Sequence, residues 1–274
     1  MTSPRLATLR EQGYVVLERF VTPSACEALR ARAARLVEDF DERAHRSIFT
    51  TVEQARRTDD YFLDSAERIH CFFEEEAFEP SGALRQPKAR SINKIGHALH
   101  DLDPVFDAFS RAPEVKALVE ELALPEPRLM QSMYIFKQPR IGGEVRCHQD
   151  ATYLHTEPQR LLGLWFALED ATVENGCLWA IPGGHRGGLR ERFVREGRRT
   201  RKEVLDVRPW DERALVPLEL PQGGLIVLDG LVPHRSDANR SARSRHAYAL
   251  HVVSGHDAYL KTNWLQRSTA ARGF

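Results

Sequence analysis

Apolar residues recur at helical spacing twice in the first half of the chain, then give way to short apolar runs punctuated by turn residues. Cys26, Leu29, Ala33, Leu36, Val37 and Phe40 fall on one face at the 3.6-residue period, with Thr22 placed to cap the helix and Pro23 at its first position. Val115, Leu118, Val119 and Leu122 repeat the pattern and predict a second helix over 115–124. Residues 13–17 read as a strand ahead of the first helix, whereas 41–92 are polar and predict no definite element.

From residue 129 the period changes. Residues 129–136 predict a largely buried strand that ends near Pro139 and Gly142-Gly143. Residues 161–168 are apolar on both faces, as a strand between two layers is, and Asn175-Gly176 predicts a tight hairpin turn returning through 177–181. Pro182-Gly183-Gly184 breaks that strand and opens a long polar stretch. Gly223-Gly224 then introduces the apolar run 225–228, which ends at Asp229-Gly230. A turn at Asn239, Arg240 and Ser241 predicts a last hairpin, in which Ser236 faces Arg245 and His234 faces Ala247.

Candidate chemistry lies on these strands. His148 and Asp150 are separated by one residue, so a strand turns both to one face, where they can grip one ion. His234 supplies a third ligand from a distant strand. Two histidines and one carboxylate form the facial triad that leaves one side of Fe(II) open to a co-substrate and O2. Arg245, with its planar fork, suits the far carboxylate of such a co-substrate, which points to 2-oxoglutarate. Alternatives stand beside these residues. Arg243 shares the face of Arg245 but lies nearer the turn, and His185 is the rival third ligand. His97 and His100, about a helical turn apart, are half a metal site without a partner pair. His155 and Tyr153 follow the iron pair and read as the rim of a substrate mouth and a core aromatic.

Taken in order, Lys94, Met133 within Gln131-Ser132-Met133-Tyr134-Ile135-Phe136-Lys137-Gln138-Pro139, His148-Gln149-Asp150, Glu174-Asn175-Gly176-Cys177-Leu178-Trp179, Pro182-Gly183-Gly184-His185, His234 and Arg245 resemble the phytanoyl-CoA dioxygenase family. The likeness runs from about Gly13 to Gln266. It implies a mainly β fold with flanking helices, a cupin-like double-stranded β-helix or jelly roll. It also implies iron ligands at His148, Asp150 and His234, 2-oxoglutarate contacts at Lys94, Met133, Trp165, Ser236 and Arg245, and hydroxylation of a small organic substrate with release of succinate and CO2. The family often carries Pro-Gly-Ser-His where this chain has Pro182-Gly183-Gly184-His185, a departure outside the proposed ligand set.

Composition narrows the reading further. At 274 residues the chain can bury one sizeable core, and no Gly/Ser or Pro tract divides it, so residues 1–274 are expected to form a single domain. Lys and Arg together number 39 and balance 39 acids, so no global basic field argues for nucleic acid. Four cysteines, none in a Cys-x-x-Cys pair, are too few for a disulfide scaffold, and a reducing cytoplasm fits them best. No apolar run is long enough to span a bilayer. Residues 186–208 hold nine basic and four acidic residues; they read as a solvated loop, with a lid attracting an anionic substrate as the alternative. Two rival functions share the triad. One is a cupin-type metal enzyme without 2-oxoglutarate, and the other is a non-catalytic sensor that binds 2-oxoglutarate without turnover.

Overall fold

A computed structural model describes residues 3–49 and 59–274, so residues 50–58 of the polar stretch 41–92 lie outside the described residues. Helices α1 (Pro4–Gln12) and α2 (Pro23–Asp39) flank strand β1 (Tyr14–Leu17). The Thr22 hydroxyl accepts from Ala25 N, and Cys26, Leu29, Ala33 and Val37 are the buried stripe of α2, as the spacing predicts. Short helix α3 (Asp60–Asp64) leads to β2 (Ile69–Phe73) and β3 (Ile92–His97). Helices α4 (Leu99–Leu102), α5 (Pro104–Ser110) and α6 (Pro113–Glu121) follow.

The remaining chain is mostly strands: β4 (Pro127–Ile135), β5 (Val145–His148), β6 (Thr156–Glu157), β7 (Leu161–Ala167), β8 (Leu178–Ala180), β9 (Glu191–Glu196), β10 (Arg199–Val204), β11 (Val216–Leu218), β12 (Leu225–Asp229), β13 (His234–Ser236), β14 (Ala247–Ser254) and β15 (Ala258–Tyr259). They build a seven-stranded sheet in the order β1-β12-β7-β14-β4-β3-β2 and a four-stranded sheet in the order β11-β8-β13-β5. This is the jelly roll, with the two sheets face to face.

Alternation along the central strands explains the doubly apolar run 161–168. Leu162, Leu164 and Phe166 of β7, with Tyr248, Leu250 and Val252 of β14, pack outward in the core that includes α2, α5 and α6. Trp165 and Ala167, with Ala247 and Ala249, turn inward toward Leu178 and Ala180 of the smaller sheet.

Two expected hairpins are absent. β7 and β8 lie in different sheets, and Asn175-Gly176 makes the corner between them: Thr172 and Asn175 form a capping box, and Gly176 takes φ 88°. β13 and β14 are also divided between the sheets, so His234 faces His148 and Ala180 rather than Ala247. The basic segment is a β9–β10 hairpin, not an irregular loop. Its charges pair across the strands, Lys202 with Glu191 at 3.0 Å and Arg201 with Glu196 at 3.2 Å. No helix among the described residues is long and apolar enough to cross a membrane.

Candidate metal and co-substrate site

His148 ends β5 and His234 opens β13, so the ladder between those strands sets the two rings side by side with centroids 4.3 Å apart. Each ring's Nδ1 donates to a carbonyl two residues back, His148 to Arg146 at 2.8 Å and His234 to Val232 at 3.1 Å. A carbonyl can only accept, so each imidazole keeps a bare Nε2 lone pair. Both Nε2 atoms face Asp150 Oδ1, at 3.7 and 3.6 Å, and one ligand atom from each of the three residues lies within 4.8 Å of the others. No other group of three such side chains converges among the described residues.

Asp150 reaches this point differently from the expected strand geometry. It opens a 3-10 turn, Asp150–Thr152, that docks through Ala151 N on the Gly230 carbonyl at 2.9 Å. Burial by itself would raise the Asp150 carboxyl, but the neighbouring His251 and His234 hold it well below the usual carboxylate range. Burial pushes the His234 imidazole down to about 4. A carboxylate beside two imidazole nitrogens whose Nδ1 protons are committed to carbonyls is the donor set of a divalent transition metal.

Sequence reading missed His251. It is 5% exposed, and its Nε2 lies 3.2 Å from Asp150 Oδ2, on the side away from the other two rings' contacts with Oδ1. A signal was available: 245, 247, 249 and 251 share one parity along β14. His251 pairs with Gly163 in the β14–β7 ladder, and a Cβ at Gly163 would stand 2.8 Å from Asp150 Oδ2. The glycine thus leaves the space in which the carboxylate sits. Gly163→Ala is expected to push the carboxylate aside and weaken Fe(II) binding about tenfold, roughly 1.4 kcal/mol. Metal titration checks this, with an unchanged melting temperature of the metal-free protein as the control.

Arg245 closes the other end of the site. It is 1% exposed; Nε donates to the Gly176 carbonyl at 3.1 Å and Nη2 to Ser236 Oγ at 3.4 Å. Ser236 and Arg245 therefore meet as expected, but across the jelly-roll corner and not within a hairpin. Nη1 has no partner among the described residues. Burial pushes the guanidinium down to about 10, which leaves it a cation at neutral pH. The Trp165 ring centroid lies 5.0 Å from its Cζ. Lys137 stands nearby, its ammonium donating to the carbonyls of Gly143 at 2.6 Å and Ser236 at 3.4 Å. Such a cationic end with a free donor fits a carboxylate.

One cavity of about 600 Å³ joins the two ends, and Lys94, Met133, Trp165, Ser236 and Arg245 all line it with the three candidate ligands. Lys94 is buried, its Nζ 3.4 Å from the Phe49 ring centroid and 3.8 Å from Met133 Sδ. Tyr153 is no mere core aromatic: it lines the cavity with its ring edge-on to His148. Lys202, Glu191 and Trp210 border the same cavity.

The rival residues are placed elsewhere. His185 sits in the turn Gly184–Gly187, its Nε2 3.1 Å from the Arg10 carbonyl. Arg243 is exposed and pairs with Glu174 at 3.3 Å. His97 ends β3 while His100 lies in α4, bonded to Ser132, so they are not one helix face. His155 is half-buried near Glu157.

A family model described as phytanoyl-CoA dioxygenase (PhyH) matches residues 9–247. The phytanoyl-CoA dioxygenase of Arabidopsis thaliana is 45% identical over 272 residues, covering 98% of this chain and 94% of that protein. Phytanoyl-CoA dioxygenase domain-containing protein 1 of Rattus norvegicus is 44% identical over 281 residues, covering 98% and 96%. Among solved structures, the non-heme alpha-ketoglutarate-dependent carbocyclase SnoK from nogalamycin biosynthesis aligns with a TM-score of 0.69 at 18% identity, covering 100% of this chain and 94% of that one. EctD from S. alaskensis with 2-oxoglutarate and 5-hydroxyectoine aligns at 0.66 and 18% identity, covering 100% and 86%. At these identities the structures establish the fold.

Proposed function

Because the chain belongs to the phytanoyl-CoA dioxygenase family, we propose that it is an Fe(II)- and 2-oxoglutarate-dependent dioxygenase that hydroxylates a small organic substrate, with O2 as the other co-substrate and succinate and CO2 as products. His148, Asp150 and His234 would hold the iron. Arg245 and Ser236 would hold the distal carboxylate of 2-oxoglutarate, whose seat Lys94, Met133 and Trp165 line. The observation that carries the reading is the orphaned Arg245 Nη1 buried in the same cavity as the triad. A jelly-roll metal enzyme that uses no 2-oxoglutarate has no need of that cation.

When bound, Fe(II) and 2-oxoglutarate supply the activation of O2 and the oxidation of the C–H bond, which no side chain here provides. The protein's part is placement. Arg146 and Val232 fix the ligand tautomers through their carbonyls, His251 and the space at Gly163 fix the carboxylate, and Trp165 and Met133 wall the pocket against water. No nucleophile or general base is required. The test is succinate formation under Fe(II), ascorbate and O2 across a panel of candidate substrates. Stimulation above the uncoupled background by any of them supports the reading. Tight 2-oxoglutarate binding with no succinate under any condition makes the protein a sensor instead.

The co-substrate end predicts a pH dependence. Burial, with Arg245 alongside, pushes the Lys137 ammonium down to about 7, against the opposing pull of Glu74, Asp237 and Glu144. A dianion bound beside it favours the charged form, so above the free pKa binding takes up a proton and affinity falls as pH rises. The 2-oxoglutarate dissociation constant is expected to be flat below about pH 6 and to climb above about pH 7. Calorimetry in buffers of different ionisation heat reads the proton directly; no uptake at alkaline pH would remove Lys137 from the co-substrate's field.

A further inference from the structure

The cavity extends beyond the candidate iron ligands. Gln131 pairs with His251 in the β14–β4 ladder, and the following residue of β4, Ser132, pairs with His97 of β3, whose ring packs 5.0 Å from Trp264 and 5.5 Å from Phe62. Gln131, His97, Trp264 and Phe62 line the cavity, and none of these four has a role in holding metal or 2-oxoglutarate.

Hydrogen-bond bookkeeping fixes what His97 offers. Ser65 has one hydroxyl proton, and it goes to the Phe62 carbonyl at 2.5 Å. The 2.7 Å contact between Ser65 Oγ and His97 Nδ1 therefore needs the imidazole to donate. Nε2 is left as a bare acceptor, on a residue 0% exposed, with no donor among the described residues. Burial, with Lys94 alongside, keeps the ring neutral. Gln131 is 5% exposed and lines the same end of the cavity. A saturated acyl chain lodged here would leave His97 Nε2 unpaired, which is unfavourable in a buried site. A carboxylate has no proton to give Nε2.

We propose that this end of the cavity selects the substrate: His97 Nε2, with Gln131 beside it, accepts a hydrogen bond from a hydroxyl or amide N–H on a compact neutral molecule whose apolar body packs on Phe62 and Trp264. The inference rests on the oxygenase reading of the cavity. It places an unsubstituted acyl tail outside this subsite.

The test uses the protein loaded with 2-oxoglutarate and with diamagnetic Zn(II) in place of Fe(II), probed with benzyl alcohol and its donor-free counterpart toluene. Nitrogen NMR is expected to show His97 neutral with its proton on Nδ1 from about pH 5 to 8, and an Nε2 shift on adding benzyl alcohol but not toluene. Benzyl alcohol is expected to bind about tenfold more tightly than toluene. His97→Phe should remove that preference, and His97→Gln, whose amide oxygen is again an acceptor, should recover it. A proton on Nε2, equal binding of the two probes, or binding of neither overturns the proposal. The oxygenase reading is tested separately, by titrating Fe(II) and 2-oxoglutarate into the wild-type protein before any probe is added.

Discussion

His234→Ala is expected to lower Fe(II) affinity by more than about 100-fold, and His148→Ala and Asp150→Ala to do the same, because truncating a ligand should exceed the roughly 10- to 100-fold effect of losing a group behind one. The fold should survive each change. The three side chains meet one another and nearby carbonyls at the cavity wall, and none belongs to the apolar clusters that join the sheets and helices. Activity should fall with the metal. His185→Ala serves as the contrast: its ring is bonded to the Arg10 carbonyl, away from the cavity, so iron binding should be untouched. Titration of the four variants decides the matter. Undiminished binding in His234→Ala would reject the ligand set and bring His185 back.

Arg245→Ala should leave iron binding intact and raise the 2-oxoglutarate dissociation constant steeply. Truncating one partner of a buried, hydrogen-bonded charge pair costs about 2–5 kcal/mol, which is roughly 30- to 5,000-fold in affinity. The burial of Arg245 places it toward the upper part of that range, since no water replaces its donors. Arg243→Ala, which removes an exposed cation paired with Glu174, should change the constant by less than about threefold. The reverse pattern would mean that the co-substrate lies toward the outer turn instead of in the cavity.

What was legible in the chain was the chemistry and the elements, more than their pairing. Residue type singled out His148, Asp150, His234 and Arg245, and the period of the apolar residues located α2, α6, β4, β7 and β12. Ladder partners were misjudged because a jelly roll sends successive strands to opposite sheets. Asn175-Gly176 was a real turn signal, but a turn that changes sheets looks locally like one that closes a hairpin. In 186–208 the charges hid the strands: Phe193 and Val194 are buried, Gly197 turns the chain at φ 64°, and the surrounding ions pair across the ladder. His251 and His97 were obscured for a different reason. Their significance depends on a carboxylate and a serine far away in the sequence, so the parity of 245–251 gave the face of His251 but not its partner, and His97 was weighed only beside His100.

The alternation along β14 separates two kinds of mutational freedom. Tyr248, Leu250 and Val252 lock the strand to the helical layer, while Ala247, Ala249 and His251 face the other way, Ala249 and His251 bordering the cavity. Substitution at Ala249 can therefore reshape what the pocket accepts while the packing against the helices is left alone. Ala249, small and flanked by Met133 and Trp165 on the neighbouring strands, is the position where one added methyl group changes the pocket most directly. Such a scaffold lets selectivity diverge among descendants through Ala249 while Arg245 and His251, of the same parity, keep the site intact.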